Sequence, residues 1–392
     1  MKYPYYNPNL RFLDLWRALF LSKSDAEDRI IGYFEELTGK KHILITNSCR
    51  SALYLAYKSI GKKGEVITSP LTCKVAIDPI VELGNSPVFA DVSTKDLNIE
   101  INDIEHRVNS KTIAIQAIHF GGVSCNLNSI YELAKKNNLL IIEDCAQSLG
   151  AKYKNGYTGS YGDIACFSLI KNVYGIGGGI LATDSIEFFS KAKDLLSNAK
   201  TTPKRLAYYR VLRNILESKS NNFFFKLAIK LIYSLKGGVK SYKTVTNQIF
   251  NISAIEVKIA SIQINRLGKL HNMRVGIGKS YYDSLVRHSL LHNNGYDPVL
   301  SSFTKFYLYN NKINSKTLTA SLAKQGIEAM HLEHKHGGGY QEPLISKETA
   351  IDNGLHNYLR VHDSLISLPL TERMLEEDVL YITKKLKTII DG

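Results

Sequence analysis

The first 190 residues alternate short apolar runs with stretches of helical periodicity, and this alternation limits the possible folds more than any other feature. Strands that are separated by helices build a largely parallel sheet with helices on its faces. Strands are predicted at Glu65–Thr68, Pro87–Asp91, Thr112–Ile118, Leu139–Glu143, Ile164–Ser168 and Gly179–Thr183. Helices are predicted between them, for instance at Ser51–Ile60 and Ser129–Lys136. The pattern predicts an α/β fold.

The C-terminal third has a different order of apolar runs and helical stretches. The apolar stretch Val299–Tyr309, a helix at Leu318–Gly326 and a final helix at Glu376–Ile390 are typical of a smaller α+β domain. A chain of 392 residues is long enough for one large and one smaller domain. We predict a large domain over residues 1–250, with a basic helical insertion at about 195–245, and a small domain over residues 251–392.

The formal net charge of +14 is concentrated in one segment. Between Lys200 and Lys243 the sequence has eleven basic residues and one acid, Glu217, so this segment carries +10 of the total. A nucleic-acid-binding function would rest on this charge alone, because the sequence contains no recognisable binding module. We therefore predict no nucleic-acid partner.

Apolar residues recur at helical spacing within this basic segment, which gives it a cationic amphipathic pattern. No uninterrupted run approaches the roughly 20 apolar residues that span a bilayer. Three interpretations remain open. The segment packs on the large domain or a dimer interface; it contacts an anionic membrane surface, aided by Phe12, Trp16 and Phe20; or it attracts the diphosphate of a nucleotide-linked sugar.

The N-terminal stretch does not resemble a signal peptide, because Arg11, Asp14 and Arg17 interrupt its apolar residues and no small-residue cleavage site follows. We expect a cytoplasmic protein, peripheral to the inner face of the membrane if the basic segment binds lipid. The five cysteines are odd in number and form no CxxC pair. Reduced thiols fit this pattern better than a disulfide framework, and we predict no metal site.

Two chemical groups stand at the ends of predicted strands. Asp144 follows the strand Leu139–Glu143, and Lys171 lies just beyond Ile164–Ser168. Pyridoxal phosphate (PLP) chemistry needs such a pair, because an acid keeps the pyridine nitrogen protonated while a lysine binds the cofactor as a Schiff base and moves a proton. Taken singly, each residue is better explained without PLP, Lys171 as a solvated lysine at a turn and Asp144 as a helix-capping aspartate.

The order of motifs along nearly the whole chain resembles the DegT/DnrJ/EryC1/StrS sugar aminotransferases, which are fold-type I PLP enzymes. The matching segments are Phe34-Glu35, Thr46-Asn47-Ser48, Ser51-Ala52-Leu53, Pro87 to Asp91, Leu97-Asn98-Ile99, His119-Phe120-Gly121, Glu143 to Gln147, Gly162-Asp163, Phe167-Ser168 with Lys171, Gly177 to Gly179 and Ser367 to Leu370. Each motif is weak alone, but all of them in one order are specific. The resemblance implies a three-layer αβα fold with a mainly parallel sheet, a smaller C-terminal domain and a homodimer.

The resemblance also implies a role for individual residues. Lys171 would be the Schiff-base lysine, Asp144 the partner of the pyridine nitrogen, Gln147 a neighbour of the phenolic oxygen and Ser168 a neighbour of the phosphate. The first turn of a helix favours a dianionic phosphate, and the residues predicted there are Ser48, Cys49 and Arg50. Capping of that helix by Ser48 is compatible with phosphate binding.

The chain departs from the family pattern at three places. Cys49-Arg50 replaces the usual Gly-Thr, and Arg50 could supply compensating charge; Cys73 stands where an aromatic ring often stacks on the pyridine. The family takes a phosphate-binding asparagine from the partner subunit, and Ile249 aligns with it here. We assign this role to Asn251, with Asn247 as the alternative.

These residues predict an aminotransferase that moves an amino group from glutamate to a keto-sugar, which is nucleotide-linked and destined for a surface polysaccharide, lipopolysaccharide or antibiotic. An aminotransferase acting on a lipid-linked or non-sugar keto substrate at the membrane surface is the alternative. Lys171 argues against the related sugar deoxygenases, which have histidine there, and Gly175 to Gly179 lacks the spacing of a Rossmann dinucleotide motif. His331, His334 and Tyr340 are candidates for sugar contacts, and solvent-exposed loop positions explain them equally well.

Overall fold

A computed structural model of the chain describes residues 3–4, 10–218, 249–287, 297, 300–310, 312–332 and 345–392. The chain divides into two compact units, each of which is described by itself. The first unit comprises Met1–Tyr6, Lys62–Asp163 and Gly268–Gly392, and the second comprises Asn7–Gly61 and Ile164–Leu267. This division differs from the predicted boundary at residue 250, because the chain passes from one unit to the other several times. The predicted functional domains stay a prediction.

The strands of the described residues, in chain order, are β1 (His42–Thr46), β2 (Glu65–Thr68), β3 (Ser86–Phe89), β4 (Thr112–Ile118), β5 (Leu140–Cys145), β6 (Lys152–Tyr153), β7 (Gly156–Tyr157), β8 (Ile164–Ser168), β9 (Gly179–Thr183), β10 (Phe306–Leu308), β11 (Met330–His331) and β12 (Ile366–Leu368). The helices are α1 (Phe12–Phe20), α2 (Lys23–Thr38), α3 (Cys49–Ile60), α4 (Lys74–Glu82), α5 (Ile101–Arg107), α6 (Leu127–Lys136), α7 (Ile186–Ser197), α8 (Lys204–Ser218), α9 (Ala254–Ile264), α10 (Leu267–Arg287), α11 (Ser315–Lys324), α12 (Lys347–Asp352), α13 (His356–His362) and α14 (Glu376–Asp391).

The first unit contains a parallel sheet in the order β5-β4-β2-β3. Its strands are short and rich in β-branched residues, as expected for strands that are covered on both faces. Ile67, Ile115 and Ile141 from three of the strands pack with Ile130 and Leu133 of α6 in one buried cluster. This packing places the carboxyl ends of β4 and β5 side by side.

The C-terminal part of the first unit has its own small antiparallel sheet, in the order β10-β12-β11. Phe306, Leu308 and Ile366 are fully buried in it, together with Leu318 of α11 and Leu386 of α14. The predicted α+β character of this region is thus present in the structure.

The second unit contains an antiparallel set of strands in the order β1-β9-β8. Phe34 of α2 and Phe167 of β8 are fully buried, with their ring centroids 5.0 Å apart. The strands β8 and β9 have the predicted bounds, because each is a short apolar run that ends at a polar or glycine-rich turn.

The predicted basic insertion is only partly described. Its first part contains the end of α7 and the whole of α8, while residues 219–248 lie outside the described residues. The sequence also predicts an amphipathic helix from Asn251 to about Leu267. A helix, α9, lies within this range at Ala254–Ile264, but it is buried around most of its circumference and is not amphipathic. Within the described part of the chain, every helix is too short or too polar to cross a bilayer.

Candidate active site

Asp144 lies at the carboxyl end of the parallel strand β5, next to the end of β4. The pairing register sets Asp144 beside Ile118, and the N–H of His119 donates to the Asp144 carbonyl oxygen at 3.3 Å. The side chain is 4% exposed, and its Oδ1 accepts a hydrogen bond from the N–H of Ala146 at 3.0 Å. The sheet therefore holds the carboxylate in one orientation at the edge where parallel strands place their functional groups.

His119 and Glu143 form a buried polar pair beside Asp144. Nδ1 of His119 accepts a hydrogen bond from the N–H of Cys125 at 3.1 Å, and Nε2 lies 3.1 Å from Oε2 of Glu143. Because a backbone N–H can only donate, Nδ1 carries no proton, and the proton on Nε2 is donated to Glu143. His119 is therefore held as the neutral Nε2–H tautomer.

The Glu143 carboxylate accepts four hydrogen bonds although the side chain is fully buried. Oε2 accepts from His119 and, at 2.7 Å, from the N–H of Gly159; Oε1 accepts from the N–H groups of Tyr161 at 2.8 Å and Gly162 at 2.5 Å. Burial by itself raises the pKa of Glu143, but these hydrogen bonds outweigh it and hold the pKa below its ordinary value. Glu143 is thus an anion at neutral pH, and it ties the 159–162 turn to the end of β5.

His119 and Glu143, together with the buried Cys145, form a potential set of metal ligands. The nearest ligand atoms of His119, Glu143 and Cys145 all lie within 4.8 Å of one another. Both ring nitrogens of His119 are already engaged in hydrogen bonds, so the ring has no lone pair left for an ion. We assign no metal to this cluster.

Gln147 lies two residues beyond the strand β5 and is 9% exposed. Its Oε1 accepts a hydrogen bond from the N–H of Gly121 at 3.2 Å, and its backbone carbonyl accepts from the hydroxyls of Ser302 and Thr304. Because the side-chain oxygen is turned toward Gly121, the amide nitrogen is the end that can donate to a ligand. A donor is what the phenolic oxygen of PLP requires.

Lys171 is half-buried in the loop that follows β8 in the second unit. The base of this loop is closed by two backbone hydrogen bonds: Leu169 N–H donates to the Gly178 carbonyl at 3.1 Å, and Gly175 N–H donates to the Leu169 carbonyl at 2.7 Å. Tyr174 within the loop has a φ of 57°, a conformation that non-glycine residues seldom adopt. The backbone of the lysine loop is therefore tightly specified.

The start of α3 is joined to the lysine loop. Ser48 caps the helix by accepting from the N–H of Ser51 at 3.2 Å, and Ser48 also forms a parallel bridge with Gly178. The N–H of Gly178 donates to the Asn47 carbonyl at 2.9 Å. The first turn of a helix has backbone N–H groups without intrahelical acceptors and a positive dipole end, which together favour an anion.

Gly179 connects Ser168 to the start of α3. It is paired with Ser168 on one side and with Thr46 on the other, at the ends of β8 and β1. A Cβ atom on Gly179 would overlap the backbone of Ser48 and Cys49. Only glycine allows this approach, which sets the strand partner of Ser168 directly against the start of α3.

Asn251 has a local role in the structure. Its amide nitrogen donates to the carbonyls of Leu196 at 3.0 Å and Ala199 at 2.8 Å, so both amide hydrogens are used near the end of α7. A phosphate contact from a second subunit would require this amide to leave those carbonyls. Asn251 as a cofactor ligand stays a prediction.

The remaining candidates are less informative. Cys73 stands at the N-terminus of α4 and is half-buried, and His331 is half-buried at the end of β11. His334, Tyr340 and Asn247 lie outside the described residues.

Sequence reasoning named the motifs that contain His119 and Glu143 but assigned these two residues no role. The available signal was their position, because His119 follows β4 directly and Glu143 lies at the end of the neighbouring parallel strand. The carboxyl ends of adjacent parallel strands meet, so polar residues at these ends are candidates for a shared network.

The groups at these positions fit PLP. The first unit contains the buried carboxylate of Asp144 and the amide donor of Gln147. The second unit contains the amine of Lys171, the hydroxyl of Ser168 and the N-terminus of α3, which packs closely against Gly179. PLP needs an acid for its pyridine nitrogen, an amine for its aldehyde and donors for its phosphate. The donor set therefore matches the cofactor that the sequence predicted.

Comparison with known proteins agrees with this chemistry. A Bacillus subtilis protein named spore coat polysaccharide biosynthesis protein SpsC is 27% identical over 95% of this chain and 92% of its own length. A GDP-perosamine synthase of Escherichia coli O157:H7 is 33% identical, over 47% of this chain and 54% of its own length. The aminotransferase PseC of Helicobacter pylori, described as involved in pseudaminic acid biosynthesis, has a similar structure, with a TM-score of 0.75 at 21% identity over the whole of both chains.

The fold class, the enzyme class and the cofactor predicted from the sequence are confirmed. The structural likeness extends over the full chain, and residues 15–387 match the profile of the DegT/DnrJ/EryC1/StrS aminotransferase family. The chain therefore belongs to this family of PLP-dependent aminotransferases.

Proposed function

We propose that this enzyme transfers an amino group from glutamate to a keto-sugar that is linked to a nucleotide, for the synthesis of a surface polysaccharide. The observation that carries the proposal is the buried Asp144 carboxylate at the end of β5, which accepts a hydrogen bond from the N–H of Ala146. The sugar class is supported by the relatives, since GDP-perosamine synthase and the spore coat protein are both named for sugar or polysaccharide synthesis.

Each residue has a specific task in this proposal. PLP supplies an electron sink when it is bound. Asp144 holds a proton on the pyridine nitrogen, and the amide nitrogen of Gln147 donates to the phenolic oxygen. Ser168 and the first turn of α3, with Ser48, Cys49 and Arg50, hold the phosphate, as this end of the helix favours an anion.

Lys171 binds the cofactor covalently and relays the proton between the substrate carbon and the cofactor in both halves of the reaction. Its loop is closed at the base by backbone hydrogen bonds, which fix the backbone that carries Lys171. A fixed backbone matters because proton transfer requires the donor and acceptor atoms to approach within hydrogen-bonding distance.

A homodimer and contact of the basic segment with a membrane are further parts of the proposal. The family resemblance supports the dimer, and the +10 charge between Lys200 and Lys243 supports an anionic surface as a partner. Neither changes the assignment of the residues above.

The proposal is tested by the visible spectrum of the purified holoenzyme and by reduction with borohydride. We expect a yellow band that glutamate bleaches, and a reduced peptide whose mass locates the cofactor on Lys171. Lys171→Ala should lose the band and the labelled peptide, whereas Lys62→Ala, at an exposed lysine, should keep both.

The acceptor is identified by the return of colour. After glutamate has bleached the enzyme, a keto-sugar linked to a nucleoside diphosphate should restore the yellow band, and the free keto-sugar should not. Equal recovery with the free sugar would refute the nucleotide linkage, and recovery only with a lipid-linked sugar would favour the alternative acceptor. A colourless Lys171-containing enzyme in the presence of added PLP would refute the residue assignment.

A further inference from the structure

Helix α1 is oriented with its acid inward and its large apolar residues outward. Asp14 is 2% exposed, and its Oδ2 accepts from Arg266 at 2.8 Å and from Gln263 at 3.1 Å. Phe12 and Phe20, by contrast, are 85% and 73% exposed. A surface helix of a soluble protein normally shows the reverse arrangement.

The exposed apolar residues form one continuous stripe. Phe12, Leu13, Trp16, Leu19 and Phe20 fall within an arc of roughly 120°, as successive residues are about 100° apart on a helix. The rings of Trp16 and Phe20 contact each other, with centroids 4.9 Å apart. These five residues are called the α1 stripe below.

The opposite side of α1 anchors the helix to the second unit. Ala18 is buried against Ile259 and Ile262 of α9, and Leu15 packs on the same cluster. The ion pair between Asp14 and Arg266 adds a buried polar anchor. The α1 stripe is therefore held outward by packing on both apolar and charged partners, so its exposure does not come from a loose terminus.

Cations accompany the stripe. Arg11 and Arg17 are exposed at α1, and Asp14, the acid of this helix, is buried. Helix α8 packs Val211 and Ile215 on the same cluster as α1.

Helix α8 has the same combination of surface groups. It exposes Tyr208 and Leu212 one turn apart, with Lys204 and Arg205 exposed nearby. Arg11, Arg17, Lys204 and Arg205 are thus exposed cations of α1 and α8, and α1 has no exposed acid.

Exposed apolar residues together with cations favour a lipid surface over a second copy of the chain as the partner of the α1 stripe. Two copies meeting through a twofold axis at this stripe would bring like cations together, which is unfavourable at an interface. A bilayer with anionic phospholipid offers both an apolar layer for the aromatic rings and negative charge for the arginines. At nine residues, or about 14 Å, α1 is long enough to lie in the interface and too short to span it.

We propose that the α1 stripe, with the cations of α1 and α8, docks this enzyme on the surface of a bilayer that contains anionic phospholipid. The inference does not depend on the keto substrate proposed above. It extends the membrane contact proposed above for the basic segment, whose first helix is α8, to a defined helix face outside that segment, the α1 stripe.

The chain contains a single tryptophan, Trp16, so its fluorescence reports directly on the stripe. Holoenzyme is mixed with phosphatidylcholine vesicles that contain phosphatidylglycerol, and with vesicles of phosphatidylcholine alone. We expect emission to shift to shorter wavelength and to be quenched by brominated phospholipid, with binding at least about tenfold stronger to the anionic vesicles.

Matched variants distinguish binding through the α1 stripe from nonspecific adsorption to the vesicles. The double variant Phe12→Glu/Phe20→Glu retains Trp16 and should weaken vesicle binding at least about tenfold. Ile186→Glu changes a 61% exposed residue of the same unit and should bind like the parent. The visible band of each variant shows that cofactor binding is intact, so that loss of docking is distinguished from failure of the site.

Three results would overturn the proposal. One is unchanged emission with both kinds of vesicle, and another is vesicle binding that the double glutamate variant does not weaken. The third is short-wavelength emission without lipid that moves to longer wavelength on dilution, which would show that a second copy covers the stripe.

Discussion

The buried Glu143 carboxylate offers a sharp test of the network behind Asp144, through the substitution Glu143→Gln. Each carboxylate oxygen accepts two hydrogen bonds, from His119 and Gly159 at Oε2 and from Tyr161 and Gly162 at Oε1. An amide has only one accepting oxygen. Whichever way it rotates, its NH2 group meets two donors, and His119 cannot reverse its tautomer because Nδ1 already accepts from a backbone N–H.

The expected cost follows from this count. A buried donor left without an acceptor costs about 1–3 kcal/mol. Two such donors predict that Glu143→Gln lowers the free energy of unfolding by about 2–6 kcal/mol, a large share of the roughly 5–15 kcal/mol of a typical protein. Urea unfolding followed by circular dichroism measures the difference. Glu105→Gln is the control, because Glu105 is a half-exposed partner of Lys136, and a change below about 1 kcal/mol is expected there.

The pH dependence provides a second check. The pKa of Glu143 is lower in the folded state than its ordinary value of 4.5, so its contribution to stability is present above that value and is lost as pH falls through the folded pKa. The stability difference between the parent and Glu143→Gln should therefore shrink in acid. A difference near zero at neutral pH, or one that stays constant from neutral to acidic pH, would refute the hydrogen-bond count.

Two further substitutions test the second unit. Gly179→Ala should lower the free energy of unfolding by about 1–3 kcal/mol and weaken cofactor retention on dialysis, since the new Cβ overlaps the start of α3, whereas Gly32→Ala, with open space in α2, should not destabilise. Equal retention in both variants would count against the phosphate cradle. Arg210→Leu should cost about 3–5 kcal/mol, because it leaves the fully buried Glu256 without its ion-pair partner. Arg205→Leu, at an exposed residue earlier in α8, serves as the control in the same unfolding assay.

Most of the fold could be predicted from the sequence. The strands β2, β4, β8 and β9 have the predicted bounds, because a short apolar run between turns encodes a buried strand locally. The α+β character of the C-terminal region was also predicted. The helix limits around α9 could not be predicted, as this helix is buried on most sides and shows no polar face.

The chemical groups of the candidate site could be predicted to a similar extent. Asp144 and Lys171 were named because the residue types and their order along the chain match a family pattern, and that pattern led to the confirmed enzyme class and cofactor. Their individual roles stay proposals. The sequence did not indicate that both amide hydrogens of Asn251 are donated within its own unit.

Other features depend on contacts between residues that are distant in the sequence. The tautomer of His119 is set by Cys125 and Glu143 together, and the outward stripe of α1 exists because Asp14 pairs with Arg266 on the inner side. Local periodicity records which residues share a helix face or a strand face. It does not record which face is covered or which donor meets which acceptor, because those choices are made only when packed elements bring distant residues into contact.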